Sequence, residues 1–313
     1  MRPAINKVSK PIVFVDSCIA INLIKTAFGK KGADLRFQRL LEIMCQRISE
    51  KKIIVPYGAI DDEIAGTEAK INNARFMFLL SRGFKWKSPS LVKALEKKKA
   101  FECFKKSEMP SYSIDDALDF KSDPSVFESW INSSELLKKL SEKKKNKTEA
   151  LNKLKQTSPE TSNYEIARFR ERTYELGLLM QLYEKRKKDQ PFDERDNKFL
   201  KREVLYLEPG DLNKPDTFII LNKFFSSNQF QEMPWINIER EILAHEMAKC
   251  NSFRDGDSTD LNYAAAYLPF CSFFLTDNDM ATKLRKLKFD DRFLCKIYSS
   301  TNIEDFEKEL GCL

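Results

Sequence analysis

The chain carries one histidine, His245, among 313 residues. Any mechanism that needs two imidazoles is therefore excluded, zinc sites of the H-E-x-x-H type included. Glycine is scarce, at nine residues, and neither G-x-x-x-x-G-K-[S/T] nor G-x-G-x-x-G occurs, so two common phosphate-cradling loops are missing. The seven cysteines (Cys18, Cys45, Cys103, Cys250, Cys271, Cys295 and Cys312) are odd in number and never spaced C-x-x-C. That pattern suggests neither a disulfide framework nor a zinc knuckle; most read as small core residues. No run reaches the roughly 18 consecutive apolar residues of a membrane span, and the start, MRPAINKVSKPIVFVDS, has no apolar segment leading to a small-residue cleavage site. A cytoplasmic location without a membrane partner is expected.

What the chain has in quantity is charge. Lys and Arg number 54 against 47 Asp and Glu, a net +7, and charged residues make up 32% of the chain beside 42% hydrophobic ones. The modest basic excess permits a polyanionic partner without requiring one. PIVFV at residues 11–15 is a short apolar run that stops at Asp16 and leads into SCIAINLIKTAF, which has helical spacing. A second unit follows, with RFQRLLEIMCQRISEKK as a helix, KIIVP as a strand and AIDDEIAGTEAKINNARFMFLL as a helix with Glu63 near its start. Alternating strands and helices predict a parallel sheet with covering helices.

Beyond residue 84 the texture turns Lys-rich and helical. Residues 138–156 hold eight lysines against two glutamates, and NYEIARFRERTYELGLLMQLYEKRKK follows the helix-breaking SPETS, which predicts a helical hairpin that projects as an arm. Either a solvated arm or a nucleic-acid-binding surface fits this composition. After EPGDLNKPDTF the globular texture returns. LNYAAAYL reads as a helix, FCSFFLT as a buried strand, DMATKLRKL as a helix, FLCKIYS as a strand and NIEDFEKEL as a last helix. The expected division is residues 1–84 and 236–313 as two halves of one α/β domain, with 85–235 as a helical insertion. His245, in REILAHEMAKC, reads as a half-buried helix residue, and FIILNKFF as core rather than a base-stacking platform.

The acids cluster at one edge of this scheme. Ligands of open parallel sheets gather at the carboxyl ends of the strands, where Asp16 follows PIVFV and Asp277 follows FCSFFLT. Glu63 lies near the same edge, and Asp257 and Asp260, three apart, share a face of a first helical turn. Each acid has a plainer alternative as a helix cap or a first-turn anion opposing the helix dipole. Convergent carboxylates repel unless cations neutralise them, and Mg²⁺ or Mn²⁺, which prefer oxygen ligands, do so without histidine or cysteine. Such a site can activate water against a phosphodiester.

In VFVDS, IVPYGAIDDEI, STDLNYAAAY with FFLTDND, and the terminal IYSSTNIEDFEKEL, the sequence resembles the PIN-domain nucleases. The resemblance spans the two outer segments and implies a three-layer α/β/α fold with a mostly parallel sheet. It also implies Mg²⁺- or Mn²⁺-dependent cleavage of RNA or, in some branches, of structured DNA. It makes Asp16 the first metal ligand, Glu63 the second acid, Asp260 the third and Asp277 or Asp279 the fourth, with Asp257 replacing or assisting Asp260 and with Ser17 and Thr276 as supporting residues. The second position could slip to Asp61, Asp62 or Glu68. The insertion departs from compact members of the family and bears on substrate choice, with defence or RNA processing as the expected setting.

The leading expectation is thus a metal-dependent endoribonuclease in which Lys283, Arg285, Lys286 and Lys288 contact the backbone of the nucleic acid. RNA is preferred to DNA as partner, and the helical insertion is a candidate surface for a protein partner or for self-association. The alternatives are a DNA nuclease with the same site and an inactive PIN-like binding or assembly protein. A haloacid-dehalogenase-type phosphatase would need an aspartate where Cys18 stands.

Overall fold

A computed structural model describes residues 3–58, 70–119, 134–158, 163–200, 215–249, 252–254 and 256–313. In chain order its elements begin with β1 (Ala4–Asn6), β2 (Val13–Val15), α1 (Ser17–Ala27), α2 (Arg36–Ser49), α3 (Lys70–Ser81), β3 (Lys85–Trp86), α4 (Pro89–Lys105), β4 (Ser111–Ser113) and β5 (Leu118–Asp119). Helices α5 (Ser134–Thr157), α6 (Tyr164–Lys187), α7 (Glu194–Phe199), α8 (Pro215–Phe225), α9 (Asn228–Gln231) and α10 (Pro234–Ala248) follow. The chain closes with α11 (Asp257–Tyr267), β6 (Phe273–Leu275), α12 (Asn278–Lys286), α13 (Phe289–Phe293), β7 (Lys296–Tyr298) and α14 (Ile303–Gly311). Two compact units emerge. A sheet unit comprises Asn6–Pro89, Ser113–Leu151 and Arg254–Leu313; a helical unit comprises Met1–Ile5, Ser90–Tyr112 and Asn152–Phe253.

The sheet unit is an α/β arrangement around a small parallel sheet. Strand β2 pairs in parallel with β6, Val13 opposite Phe273 and Val15 opposite Leu275, and β6 pairs in parallel with β7. All three residues of β2 and all three of β6 are buried, as continuous apolar strands covered on both faces must be. On the far side of β2 the expected strand KIIVP contributes only a parallel bridge, Ile54 to Ile12. Pro56 explains the brevity, since it has no N–H to extend the ladder. The core is aromatic: the Phe14 ring stacks on Phe274 with centroids 4.3 Å apart and on Tyr267 at 5.6 Å, and Tyr267 stacks on Trp86 at 4.5 Å. Helix α2 is tied to α14 by Arg47 Nε donating to the Leu310 carbonyl at 2.9 Å and by an Arg39–Glu307 ion pair at 2.8 Å.

The helical unit is held by different forces. Phe101, Phe224, Phe225 and Phe230 form a buried cluster, with Phe224 5.0 Å from Phe101 and 5.2 Å from Phe230; the phenylalanines of the FIILNKFF run are core, whereas its Ile219 and Ile220 are exposed. Helix α6 packs along α10. Between them the nearly buried Arg240 meets Glu175, and Glu241 accepts from Arg168 at 2.7 Å, from Arg172 at 3.0 Å and from Tyr164. At the start of α10, where Pro234 occupies the first turn, the fully buried Glu96 accepts from the Trp235 amide at 3.0 Å and satisfies a helix-end donor.

These contacts redraw the boundaries expected at 84/85 and 235/236. Residues 236–253 belong with the helices, because α10 is buried almost all round, Arg240 and Glu241 find their partners on α6 and Glu239 pairs with Lys93 of α4. Residues 113–151 group with the sheet unit. The projecting arm is corrected too: Ala167, Glu175, Leu179 and Leu182 of α6 are buried, so this helix is part of a core. His245 is buried within α10.

Candidate functional site

Strands β2 and β6 run in parallel and in register, so the residues that follow them emerge side by side at the carboxyl edge of the sheet. Those residues are Asp16 and Thr276. The ladder carries through them, with the Asp16 amide donating to the Leu275 carbonyl at 2.9 Å and the Thr276 amide to that of Tyr298 at 3.0 Å. Both side chains are buried, Asp16 at 4% exposure and Thr276 at 1%. Thr276 Oγ1 donates to Asp16 Oδ2 at 2.8 Å and the Ser17 amide to Oδ1 at 2.6 Å, so the carboxylate is held at both oxygens. Ser17 opens α1 and acts on Asp16 through its backbone.

Asp277 caps α12, its Oδ1 accepting from the Asp279 amide at 2.7 Å and the Met280 amide at 3.0 Å. The cap alternative at this position is thus realised, with Oδ1 engaged and the second oxygen not used by the cap. At α11 the N-cap is Gly256, at φ +109°, where a side chain would be strained; Asp257 and Asp260 are first-turn residues rather than caps. Burial first, and then the negative charges of Asp16, Asp277 and Asp260, push the Cys18 thiol far above its ordinary range. Three acids from three chain segments therefore act on one side chain in the first turn of α1.

Asp257 and Asp279 are placed differently. Asp279 lies between Arg254 Nη2 and Lys283 Nζ, each at 2.8 Å, and Arg254 also approaches Asp257 at 3.7 Å while its amide donates to Asp257 Oδ2 at 2.8 Å. Lys283, expected on an exposed basic face, is corrected: its side chain is 4% exposed and its ammonium is committed to Asp279. Arg285 donates to the Ile297 carbonyl, and Arg285, Lys286 and Lys288 remain exposed. The residues that the sequence reading missed are Arg254 and the buried form of Lys283. Their signal was present as the i,i+3 spacing of Arg254 to Asp257 and the i,i+4 spacing of Asp279 to Lys283.

Glu63, with Asp61, Asp62 and Glu68, lies outside the described residues. Among the described residues no three His, Cys, Asp or Glu side chains are grouped closely enough to hold a metal ion, and no helix is long and apolar enough to cross a membrane. Comparison with protein-family models, with curated proteins and with solved structures gives no match.

Proposed function

We propose that the chain is a metal-dependent nuclease of PIN-like, three-layer architecture, acting on RNA. What supports this most is the buried Asp16 carboxylate at the end of a parallel strand, oriented by Thr276 from the neighbouring strand end with Asp277 next in sequence. A helix cap of an ordinary kind does not need a buried hydroxyl on an adjacent strand to fix its second oxygen. The influence of Asp16, Asp277 and Asp260 on Cys18 adds a third segment to the same edge.

The donor set suits a hard divalent ion, being carboxylate oxygen without histidine. Asp16, Asp260, Asp277 and Glu63 are its candidate ligands in this reading; the three described acids are not by themselves grouped closely enough to hold an ion. The chemistry that bound Mg²⁺ or Mn²⁺ supplies is charge neutralisation at the scissile phosphate and activation of water. Thr276 and the Ser17 amide hold the Asp16 carboxylate in one orientation. The cap bonds of Asp277 fix its rotamer. Arg285, Lys286 and Lys288 are the exposed cations that would meet the phosphate backbone. In this reading Asp277 is the fourth acid, because Asp279 already has two cations on it.

A second reading, an inactive PIN-like binding or assembly protein, is favoured by the same ion pairs: Arg254 and Lys283 neutralise Asp257 and Asp279 from within the chain. One experiment separates the readings. Purified protein, Asp16→Asn and Asp260→Asn are incubated with labelled single-stranded RNA, structured RNA and DNA, in Mn²⁺, Mg²⁺ or EDTA. Metal-dependent RNA cleavage lost in both variants supports the nuclease, and cleavage of DNA alone reassigns the substrate. Binding without cleavage under all conditions supports the inactive module. Cleavage that survives both substitutions removes these acids from the chemistry.

A further inference from the structure

Helix α6 has two faces, and among the described residues one of them is largely uncovered, with Tyr183 meeting the Phe218 ring at 5.6 Å at its end. The face on α10 carries Ala167, Glu175, Leu179 and Leu182, all buried. Away from it, Ile166, Phe169, Thr173, Leu176, Met180 and Tyr183 recur at alternating intervals of three and four, the spacing of the a and d positions of a heptad. Phe169 is 70% exposed, Met180 48%, Ile166 46% and Tyr183 36%; Thr173 and Leu176 are partly exposed. The run extends through most of a 24-residue helix, about 36 Å long. Single exposed apolar residues are ordinary, but a contiguous stripe marks an interaction surface.

The repeat limits what can cover it. A seam of a and d residues is filled by a second helix with the same repeat, knobs into holes, and this stripe is complementary to itself when two copies meet head to tail. Ile166 then layers on Tyr183 of the second copy, Phe169 on Met180, and Thr173 on Leu176, each layer occurring twice about the two-fold axis. The Phe169–Met180 layers set a thioether against an aromatic ring, a favourable contact. Charge selects the same orientation. Glu165 stands in the first turn of α6, and Lys185, Arg186 and Lys187 in the last. An antiparallel pair puts Glu165 of each copy beside Arg186 of the other, whereas a parallel pair crowds the two basic ends together and aligns the helix dipoles unfavourably. Gly177 fits this geometry as well. A glycine inside a helix costs about 1 kcal/mol relative to alanine, and a Cβ there would meet nothing within 4 Å, so no contact within the chain requires it. In the antiparallel pair its missing side chain leaves room beside the seam for close approach of the second helix.

We propose that this seam is the interface of a homodimer in which the α6 helices of two copies pack antiparallel. The proposal is independent of the nuclease reading. Its test is sedimentation velocity on the full chain over a range of concentrations. The wild type is expected to show a concentration-dependent dimer, and Phe169→Glu or Met180→Glu to give monomer whose melting temperature matches that of the wild type at concentrations where it too is monomeric, because both side chains lie outside the core. Glu165→Arg is expected to weaken the dimer by about three- to tenfold through its two symmetric pairs, and Arg186→Glu added to it to restore the affinity. A wild type that stays monomeric at the highest concentration reached, or a dimer indifferent to Phe169→Glu and Met180→Glu, overturns the interface. Restoration by Arg170→Glu in place of Arg186→Glu overturns the antiparallel orientation, since that is the pairing of a parallel seam.

Discussion

The two units bury carboxylates in opposite ways. In the helical unit Glu175 and Glu241 are almost as inaccessible as Asp16, and each is matched by guanidinium groups: Arg240 for the first, Arg168 and Arg172 for the second. At the sheet edge the hydrogen bonds described for Asp16 come from a threonine hydroxyl and a backbone amide, donors without charge. A buried anion matched by a fixed cation is a structural joint, and removing one partner strands the other. In the proposed function Asp16, oriented by its hydroxyl and amide donors, serves as a metal ligand. The same residue type thus serves cohesion in one unit and, in the proposed function, chemistry in the other.

The strongest way to break this contrast is Asp16→Asn. Activity in Mn²⁺ or Mg²⁺ is expected to fall by more than about 100-fold, beyond the loss typical of residues that only support metal ligands, while a thermal melt shifts by a few degrees at most. A large loss of stability with no loss of activity would put Asp16 in the same class as Glu175. For Glu175→Ala the expectation is reversed: a loss of about 3–5 kcal/mol in urea unfolding, from the uncompensated Arg240, with turnover per folded molecule unchanged. Replacing both partners by apolar residues of similar size, Arg240→Met with Glu175→Leu, is expected to recover most of that stability.

Glu171 sharpens the comparison through pH. Burial first, then the Glu239 and Glu175 carboxylates, push its carboxyl up to about 7, against the opposing pull of Arg170 and Arg240. Between its ordinary 4.5 and about 7 the folded state therefore binds more protons than the unfolded state. Stability contributed at this position falls as pH rises through that window and is level above it. Glu171→Gln escapes the penalty, so it is expected to be more stable than wild type by about 1–2 kcal/mol at pH 8 and nearly equal to it near pH 5. Urea melts at the two pH values check this, and a gain that is the same at both would remove ionisation as the cause. The smallest effect concerns the exposed cations. Lys286→Ala and Lys288→Ala are each expected to weaken RNA binding uniformly across sequences and to lower the slope of log affinity against log salt by about 1; an unchanged slope would take that residue off the binding surface.

Some of this was readable in the chain and some was not, for reasons that particular residues make plain. Asp16, Thr276 and Asp277 were legible because a strand buried on both faces must be a continuous apolar run, and the polar residue that ends such a run marks the sheet edge. Helix α6 was legible as a helix from its caps and its period. Its burial on α10 was not, because the matching of Arg240 to Glu175 and of Glu241 to Arg168 and Arg172 joins segments distant in sequence. The same ignorance placed residues 236–253 in the wrong unit: a helix buried nearly all round carries no stripe to say which neighbour it serves. Lys283 looked exposed in ATKLRKL because a lysine is solvated by default, and only the position of Asp279 one turn earlier made a buried ammonium tolerable.

By itself, then, the sequence determined what is local: the apolar runs that become β2 and β6, the caps that start α6 and α12, and an inventory rich in carboxylate and nearly devoid of histidine. The tertiary structure alone decided which distant charges and donors meet. Parallel pairing in register put Thr276 on Asp16, and the packing of α12 beside the segment before α11 brought Arg254 onto Asp279, whereas the Arg254–Asp257 and Asp279–Lys283 pairs are local. Local preference acts over a few residues of chain, whereas Coulomb and hydrogen-bond energies depend on distance in space, and that distance exists only once the elements have packed.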